Sequence, residues 1–336
     1  MLLLARSLQG FASACISVSG MCIVAEQYDD EVHRSKVMGV VLGSIALGVL
    51  TGYPVGGFLY DFLNKAAPFI LIAVLVLLDI GLQLTFMNFK STTLDESPDS
   101  TSVWRTLLSD HLILIILGSI WISSSAMSIL EPCLPIWLMA HVKPEKWQLG
   151  TVFIPDSVGY LVGTNFFGGI AYRVGRWRVA IAAMLLVGVS CLLVPTANTI
   201  SGLVGPHLGL GLGIGVLDSA LVPLLASVVD SRHSAHYGSI YALQQTAVSL
   251  AYSIGPLFGG ELVKAMGFSW LMRCVGLINI IYCPALILLS PSLGASKRLG
   301  FTESIVRYSA TENGGTKHIV SSKESYQRFY DPEDSD

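Results

Sequence analysis

The chain has 336 residues, of which 52% are hydrophobic and only 13% are charged, and its mean hydropathy is +0.64. A soluble domain carries about 25% charged residues, so this composition excludes an ordinary soluble globular domain. The net charge of −3 gives no basic surface for nucleic acid, and the six cysteines lie in apolar runs at irregular spacing, which excludes a disulfide framework and a zinc site.

Nine apolar segments are long enough to cross a bilayer core, which takes about 20 residues per helix. In chain order they cover residues 2–24, 38–60, 67–88, 111–140, 149–172, 178–197, 203–227, 238–262 and 271–290. Residues 89–110 are polar and predict a linker between two halves, and residues 291–336 predict a disordered tail. The sequence therefore predicts an all-α polytopic membrane protein.

The basic residues are divided unequally between the two sides of the predicted helices. One set of connectors, together with the start of the tail, holds about twice as many Lys and Arg residues as the other set. Because cytoplasmic connectors are the richer in Lys and Arg, this set and the tail are predicted to be cytoplasmic.

Two distant segments repeat the same order of charged residues, glycine and proline. Residues 29–34 precede a helix with Gly52, Pro54, Gly56 and Gly57, and residues 230–233 precede a helix with Gly255 and Pro256. Parallel repeats of this kind build two-bundle transporters, although glycine and proline can also recur by chance in membrane helices. In a plan of six plus six helices the repeats are helices 5 and 11, so we expect about nine of twelve helices, numbered 4–12.

This plan divides the chain into four parts. Residues 1–88 are the remainder of an N-terminal bundle with helices 4–6, residues 89–110 a cytoplasmic linker, residues 111–290 a six-helix C-terminal bundle with helices 7–12, and residues 291–336 a cytoplasmic tail.

Two motifs carry small and basic residues at a recognisable spacing. Residues 168–178 join two spans and contain Arg173, Gly175 and Arg176. This segment resembles the loop signature of the major facilitator superfamily, with Tyr172 where an acid is common. The glycines and proline from Gly52 to Gly57 resemble the antiporter motif of the superfamily. Small residues also allow helices to approach closely, so a packing role is compatible with both motifs.

Charged residues within a bilayer are expensive and usually mark a substrate site or a proton relay. The candidates are Arg6, Asp79, Glu131, Asp156 and Asp218. Pro132 and Pro135 follow Glu131 and are expected to break its helix, which would free backbone carbonyl groups beside the carboxylate for a cation. A structural ion pair is the alternative for Glu131.

Asp218 follows a run of three alternating glycines, and a carboxylate in an apolar interior can take up and release protons. A structural ion pair is again the alternative. Asp156 and Tyr160 are four residues apart and therefore lie on one helical face. Tyr160, Tyr252 and Trp137 could offer π faces to an organic cation, although each could equally be an interface anchor or a core residue.

The resemblance becomes specific at several short motifs. They include Ala5-Arg6-Ser7-Leu8-Gln9-Gly10, Leu130-Glu131-Pro132, Lys146-Trp147-Gln148-Leu149-Gly150, Tyr160-Leu161-Val162-Gly163-Thr164-Asn165, Leu217-Asp218-Ser219 and Gly267-Phe268-Ser269-Trp270-Leu271-Met272. Over nearly all of residues 1–290 the chain resembles the vesicular amine transporter family, and its monoamine branch more than its acetylcholine branch. The resemblance implies a carrier that exchanges lumenal protons for cytosolic amines.

The resemblance also implies roles for individual residues. Arg6 matches an arginine of helix 4, Glu131 an acid of helix 7 implicated in amine binding, and Asp218 an acid of helix 10 implicated in proton coupling. Trp137, Tyr160 and Tyr252 match aromatic residues that line the central pocket.

Several positions depart from the family pattern, and three of them bear on the expected site. Gln245 stands where the family has an aspartate, Ser124 where an asparagine is expected near the pocket, and Asp156 where a small residue is expected. Because glutamine cannot titrate, we expect Asp156 to offset its loss and to join Asp218 and Arg6 in proton coupling. Ser124 joins Glu131 and the three aromatic residues in the expected substrate site.

The sequence thus predicts a proton-coupled antiporter that loads cationic monoamine neurotransmitters into secretory or synaptic vesicles. Its partners are the amine, protons and the lipid bilayer, with no nucleic acid, metal or cofactor, and no enzymatic activity. The tail holds Tyr326 and Phe329 in a pattern read by endocytic clathrin adaptors. The alternatives are an orphan relative that carries another organic cation and a truncated, non-transporting isoform.

Overall fold

The computed structural model describes residues 1–28, 30–86, 100–142, 148, 151–197, 199–232 and 237–289. The described residues form ten long α-helices without a strand. They are α1 (Leu2–Gln27), α2 (Glu31–Phe62), α3 (Ala67–Phe86), α4 (Ser100–Ser109), α5 (His111–His141), α6 (Ile154–Val174), α7 (Arg176–Leu193), α8 (Ile200–Arg232), α9 (Tyr237–Met266) and α10 (Phe268–Tyr282). Short 3₁₀ helices, Val194–Thr196 and Cys283–Leu288, extend α7 and α10.

The all-α architecture predicted from the sequence is confirmed, and seven described segments are long and apolar enough to cross a membrane. The segments predicted at 149–172 and 238–262 are helical as α6 and α9, but they are not among the seven. Both helices carry several Gly, Ser, Thr and Tyr residues, which lower their hydropathy. Some of them lie at helix contacts: Gly159 and Gly163 of α6 approach the backbone of α8, and Gly255 of α9 packs against Ser128 of α5.

The predicted linker contains a helix that hydropathy did not indicate. Helix α4 occupies its second half and buries Leu107, which is 1% exposed. The side chain of Asp110 then caps α5, since its Oδ1 accepts a hydrogen bond from the Leu112 amide at 2.9 Å. A carboxylate at a helix N-terminus satisfies free amide groups, so Asp110 fixes the place where the next span begins.

The expectation that Pro132 and Pro135 break their helix is wrong. Helix α5 continues from His111 to His141 with both prolines inside it. Proline is tolerated in membrane helices because neighbouring helices and local adjustments accommodate the freed carbonyl groups. Glu131 therefore projects from a continuous helix, and its environment depends on which helices α5 contacts.

Helix α8 is the most buried span and lies between α6 and α7. Helix α5 packs against α9 and α10, and α10 packs against α7, which closes a bundle of six helices. Helix α2 contacts α6 and α8, and α1 contacts α9. Helix α3 contacts α2 and is exposed along its length in the described structure.

The backbones of α6 and α8 touch along a seam of glycines. A Cβ atom added at Gly163 would lie 2.8 Å from the Leu212 carbonyl oxygen, and one at Gly215 would lie 2.6 Å from the Tyr160 carbonyl oxygen. No real Cβ atom tolerates such distances from backbone, so glycine is required for this approach. The seam places the side chains of α6 directly beside α8.

Candidate functional site

The first element of the site is a hydrogen bond between α6 and α8. The Tyr160 hydroxyl donates to Asp218 Oδ2 at 2.9 Å. The second carboxylate oxygen of Asp218, Oδ1, is buried and has no hydrogen-bond partner among the described residues. Asp218 also forms no ion pair there, so a single neutral phenol partners this carboxyl group in the middle of a long membrane helix.

Asp156 lies one helical turn before Tyr160 on the same face of α6. Its side chain is 8% exposed, and its Oδ1 has no hydrogen-bond partner within the described ranges. A Cβ atom added at Gly211 of α8 would lie 2.8 Å from this oxygen and would also collide with the Asp156 carbonyl oxygen. The glycine of α8 thus leaves the space that the carboxyl group occupies.

Helix α5 presents Glu131 to this group. Glu131 is partly buried and lies within electrostatic range of Asp156. Ser124 is seven residues earlier on the same helical face and is 6% exposed. Glu131 and Ser124 therefore share one face of α5, and Glu131 on this face lies near Asp156 of α6.

Helix α9 contributes a phenol to the same region. Tyr252 is 45% exposed and lies within electrostatic range of Tyr160. Gln245, seven residues earlier on the same face, is partly buried. Four helices, α5, α6, α8 and α9, thus bring three carboxyl groups and two phenols together.

Two predicted site residues lie apart from this group. Trp137 is near the end of α5 and stacks between His141 and Phe268, with ring centroids 5.0 and 5.1 Å away. It packs against the apolar core, as expected for the core-residue alternative. Arg6 is exposed on α1, where its Nη1 donates to Gln9 Oε1 at 3.1 Å.

The chemistry available to the acidic group follows from its composition. Carboxylates and phenols bind protons and ammonium groups, and aromatic faces attract cations. Within the described residues no set of three or more His, Cys, Asp or Glu side chains is placed to hold a metal ion. The carboxyl groups and phenols themselves are suited to binding organic cations and protons.

A second polar cluster, which we call the charged layer, joins α2 to α8 at the other end of α6. It contains Arg34, Asp230, Arg176, Ser35 and Ser227. Arg34 is 2% exposed and pairs with Asp230 Oδ2 at 2.8 Å. Arg176 donates to Ser227 Oγ at 2.7 Å and to Ser35 Oγ at 3.0 Å. The layer therefore ties α2, the turn after α6, and α8 to one another.

Sequence reasoning assigned Arg34 and Asp230 to connectors and did not pair them. The repeat of charge, glycine and proline did contain the signal, because Arg34 belongs to the first copy and Asp230 to the second. The ion pair thus joins the first copy of the repeat to the second.

The predicted loop motif supplies part of the charged layer. Gly175 has φ 113°, a backbone conformation that favours glycine, and it separates α6 from α7. Arg176 follows it, is 6% exposed, and lies over the Tyr172 ring at 5.6 Å from the centroid. Arg173 is exposed. Tyr172 thus offers a π face to the arginine at the position where an acid is common.

The remaining predicted motif residues have different surroundings. Gly255 of α9 packs against Ser128 of α5, and the exposed Pro256 follows it within the helix. Residues 52–57 lie inside α2, and neither Gly52 nor Gly56 has another described residue within 4 Å of its Cβ position. Tyr326 and Phe329 lie outside the described residues.

Comparison with known proteins identifies relatives of this arrangement. The sequence matches the profile of the Major Facilitator Superfamily at residues 1–141 and 116–323. It is 47% identical to the human synaptic vesicular amine transporter over 84% of this chain and 55% of that protein. It is 36% identical to the zebrafish (Danio rerio) probable vesicular acetylcholine transporter-B over 85% of this chain and 59% of that protein.

The chain spans about half the length of the curated relatives it matches. Among solved structures, the human organic anion transporter MFSD10 (TETRAN) superposes with a TM-score of 0.59. That match covers 80% of this chain and 67% of the other at 17% sequence identity. At this identity the likeness concerns the fold.

Proposed function

The chain belongs to the major facilitator superfamily, and from this premise we propose that it acts as a proton-coupled antiporter that loads cationic monoamines into vesicles. The observation that carries the proposal is the buried Asp218, whose one partner among the described residues is the Tyr160 hydroxyl. A carboxyl group kept from ion pairing inside a membrane bundle is free to bind and release a proton during a cycle. Similarity to a vesicular amine transporter supports the choice of substrate.

The proposed cycle uses the acidic group and the charged layer in turn. The amine's ammonium group binds beside the Glu131 carboxylate, with Tyr252 and Tyr160 offering aromatic faces. Protonation of Asp218 from the vesicle interior then resets the carrier. Helices α5–α10 form the proposed C-terminal bundle, and α1–α3 belong to the N-terminal one. Motion between the bundles requires breaking the charged layer, since it connects α2 to α8.

Uptake into reconstituted vesicles tests this function. With an acidic interior, we expect proteoliposomes that contain the protein to accumulate labelled serotonin or dopamine, and a protonophore to abolish the accumulation. Liposomes that contain the Asp218→Asn protein are the matched control. Accumulation that persists in the presence of the protonophore contradicts the proposal. So does uptake that, for every organic cation in a panel, stays at the level measured in protein-free liposomes.

We also propose that the tail is cytoplasmic and directs the protein to vesicles through Tyr326 and Phe329. Support comes from the tyrosine and bulky apolar residue at the spacing that clathrin adaptors read, followed by an acidic C-terminus. Tyr326→Ala with Phe329→Ala is expected to shift the protein from vesicles to the plasma membrane. Surface biotinylation measures the shift, and Tyr308→Ala in the same tail is the control. An unchanged distribution contradicts this role.

A further inference from the structure

Asp156 is the buried acid that the proposed cycle leaves without a role. Its carboxyl group is 8% exposed, and its Oδ1 lacks a hydrogen-bond partner in the described part of the chain. It sits two residues into α6, at the end opposite the charged layer. The twelve residues that separate Asp156 from Gly168, which contacts Ser35, correspond to about 18 Å along the helix.

Two titratable groups lie within electrostatic range of Asp156: Glu131 on helix α5 and Tyr160 on α6 itself. Tyr160 in turn interacts with Tyr252 of α9 and bonds to Asp218 of α8. Helix α8 also carries His207, a fully buried imidazole that packs edge-on against Phe153 of the loop before α6. The glycines Gly39 and Gly43 of α2 approach α6 at Thr164 and Asn165, farther along α6.

Within the described part of the chain, Asp156 is the member of the Glu131–Asp156 pair whose charge is not compensated by a basic side chain. Glu131 and Asp156 repel each other electrostatically, and no Lys or Arg pairs with Asp156 among the described residues. A buried carboxylate without a counter-charge is stabilised when it binds a proton or a cation. The Asp156 carboxyl group is therefore placed to take up a proton.

We propose that Asp156 is a second proton-binding residue, loaded from the side of the bundle opposite the charged layer and working beside the Tyr160–Asp218 pair. This inference rests on the proposed antiport. In the step itself, a hydronium ion on that side gives its proton to the Asp156 carboxylate, so that one O–H bond breaks as another forms. Later the carboxyl O–H bond breaks, and the proton forms an O–H bond with a water molecule on the other side. Tyr160 lies one turn from Asp156, within electrostatic range of its carboxyl group, and its hydroxyl bonds to Asp218.

Two transport modes separate a proton-binding role from an amine-binding role. Accumulation driven by a pH gradient requires proton binding, whereas exchange of labelled for unlabelled amine at equal pH does not. For Asp156→Asn we expect accumulation to fall by about tenfold for each pH unit of gradient, the contribution of one coupled proton. We expect the rate of exchange to stay within about threefold of the wild type, because the ammonium still has Glu131.

Controls make the result specific. Glu261→Gln removes an exposed carboxylate that pairs with Lys264 on α9, and it should change neither mode. Asp156→Glu keeps a titratable group and should retain most of the accumulation. Asp156→Asn should not lower the melting temperature, because it removes a buried carboxyl group that has no basic partner among the described residues. If the Asn variant does not reach the membrane, Asp156→Ser is tested in its place.

Each outcome of the two transport assays either supports the role of Asp156 or contradicts it. Loss of accumulation with exchange retained supports the inference. Unchanged accumulation overturns it, and so does equal loss of both modes in folded variants, which would assign Asp156 to the amine instead. Failure of the wild type in both modes refutes the proposed antiport itself, a result distinct from any effect of Asp156.

Discussion

Replacing Asp218 with Asn is expected to remove one proton from the transport cycle and to lower the steady-state amine gradient by about tenfold for each pH unit imposed. The physical reason is that asparagine keeps the shape of the side chain and can still accept the Tyr160 hydrogen bond, but it cannot titrate. In the wild type, Asp218 Oδ1 is already buried without a hydrogen-bond partner among the described residues. The amide nitrogen of asparagine at that place therefore costs no more folding free energy than the carboxylate oxygen it replaces.

The measurement is accumulation of labelled amine in proteoliposomes at several interior pH values, with exchange at equal pH as reference. With a gradient of about two pH units, the expected loss is roughly a hundredfold. Ser219→Ala is the matched control, since Ser219 is the next residue, does not titrate, and donates only to backbone carbonyl groups, those of Val216 at 3.0 Å and of Gly163 on α6 at 3.4 Å. Normal gradient-driven accumulation by the Asn variant would show that Asp218 is structural.

Tyr160→Phe separates the carboxyl group from its partner in the same assay. The phenylalanine ring preserves the packing on α8, but the 2.9 Å hydrogen bond to Asp218 is lost. We therefore expect the dependence of accumulation on interior pH to shift while accumulation itself persists.

Arg34→Ala is expected to loosen the contact between α2 and α8 by about 2 kcal/mol, which corresponds to roughly 30-fold in the population of the separated state. Breaking a fully buried ion pair costs about 3–5 kcal/mol. The smaller figure applies because Asp230 is 34% exposed, and water screens the charge that remains. Arg34 itself is buried, so its removal leaves Asp230 without this partner.

Hydrogen exchange of the backbone amides in residues 31–42 reports this loosening, because protection in this segment depends on its contact with α6 and α8. Arg178→Ala is the control, since Arg178 is exposed and lies over Trp177. The double variant Arg34→Asp with Asp230→Arg exchanges the acidic and the basic residue between the two helices and so restores an ion pair. It should recover part of the protection from hydrogen exchange. Equal exchange in Arg34→Ala and wild type would refute a clamping role for the pair.

Hydropathy alone was sufficient to place most spans, because long apolar runs have few alternatives to a membrane helix. The observed helix bounds differ from the predicted ones mainly where a helix continues into charged residues beyond its apolar segment. At α2, for example, Asp30 caps a helix that begins with Glu31, seven residues before the predicted start. Local chemistry of the Asp30 side chain, not apolar character, sets that boundary.

The contacts of the site could not be predicted from spacing. Tyr160 and Asp218 are 58 residues apart, and Arg34 and Asp230 are 196 apart, so both pairs depend on which helices become neighbours. The glycines that bring α6 against α8 were visible, but their partners were not. Helix α4 was missed for a similar reason, since burial of Leu107 in tertiary contacts stabilises it more than its Ser and Thr residues do.

The glycine seam also constrains which parts can move. Where backbone touches backbone, no flexible side chain is available to absorb a sliding displacement, so α6 and α8 should travel together as one rigid body. The interface between α2 and that body is different, because its arginines, serines and carboxylates can exchange their bonds for bonds to water. The interface that rearranges during transport should therefore lie between α2 and α8. A ligand bound between these two helices would prevent the conformational change without occupying the substrate site.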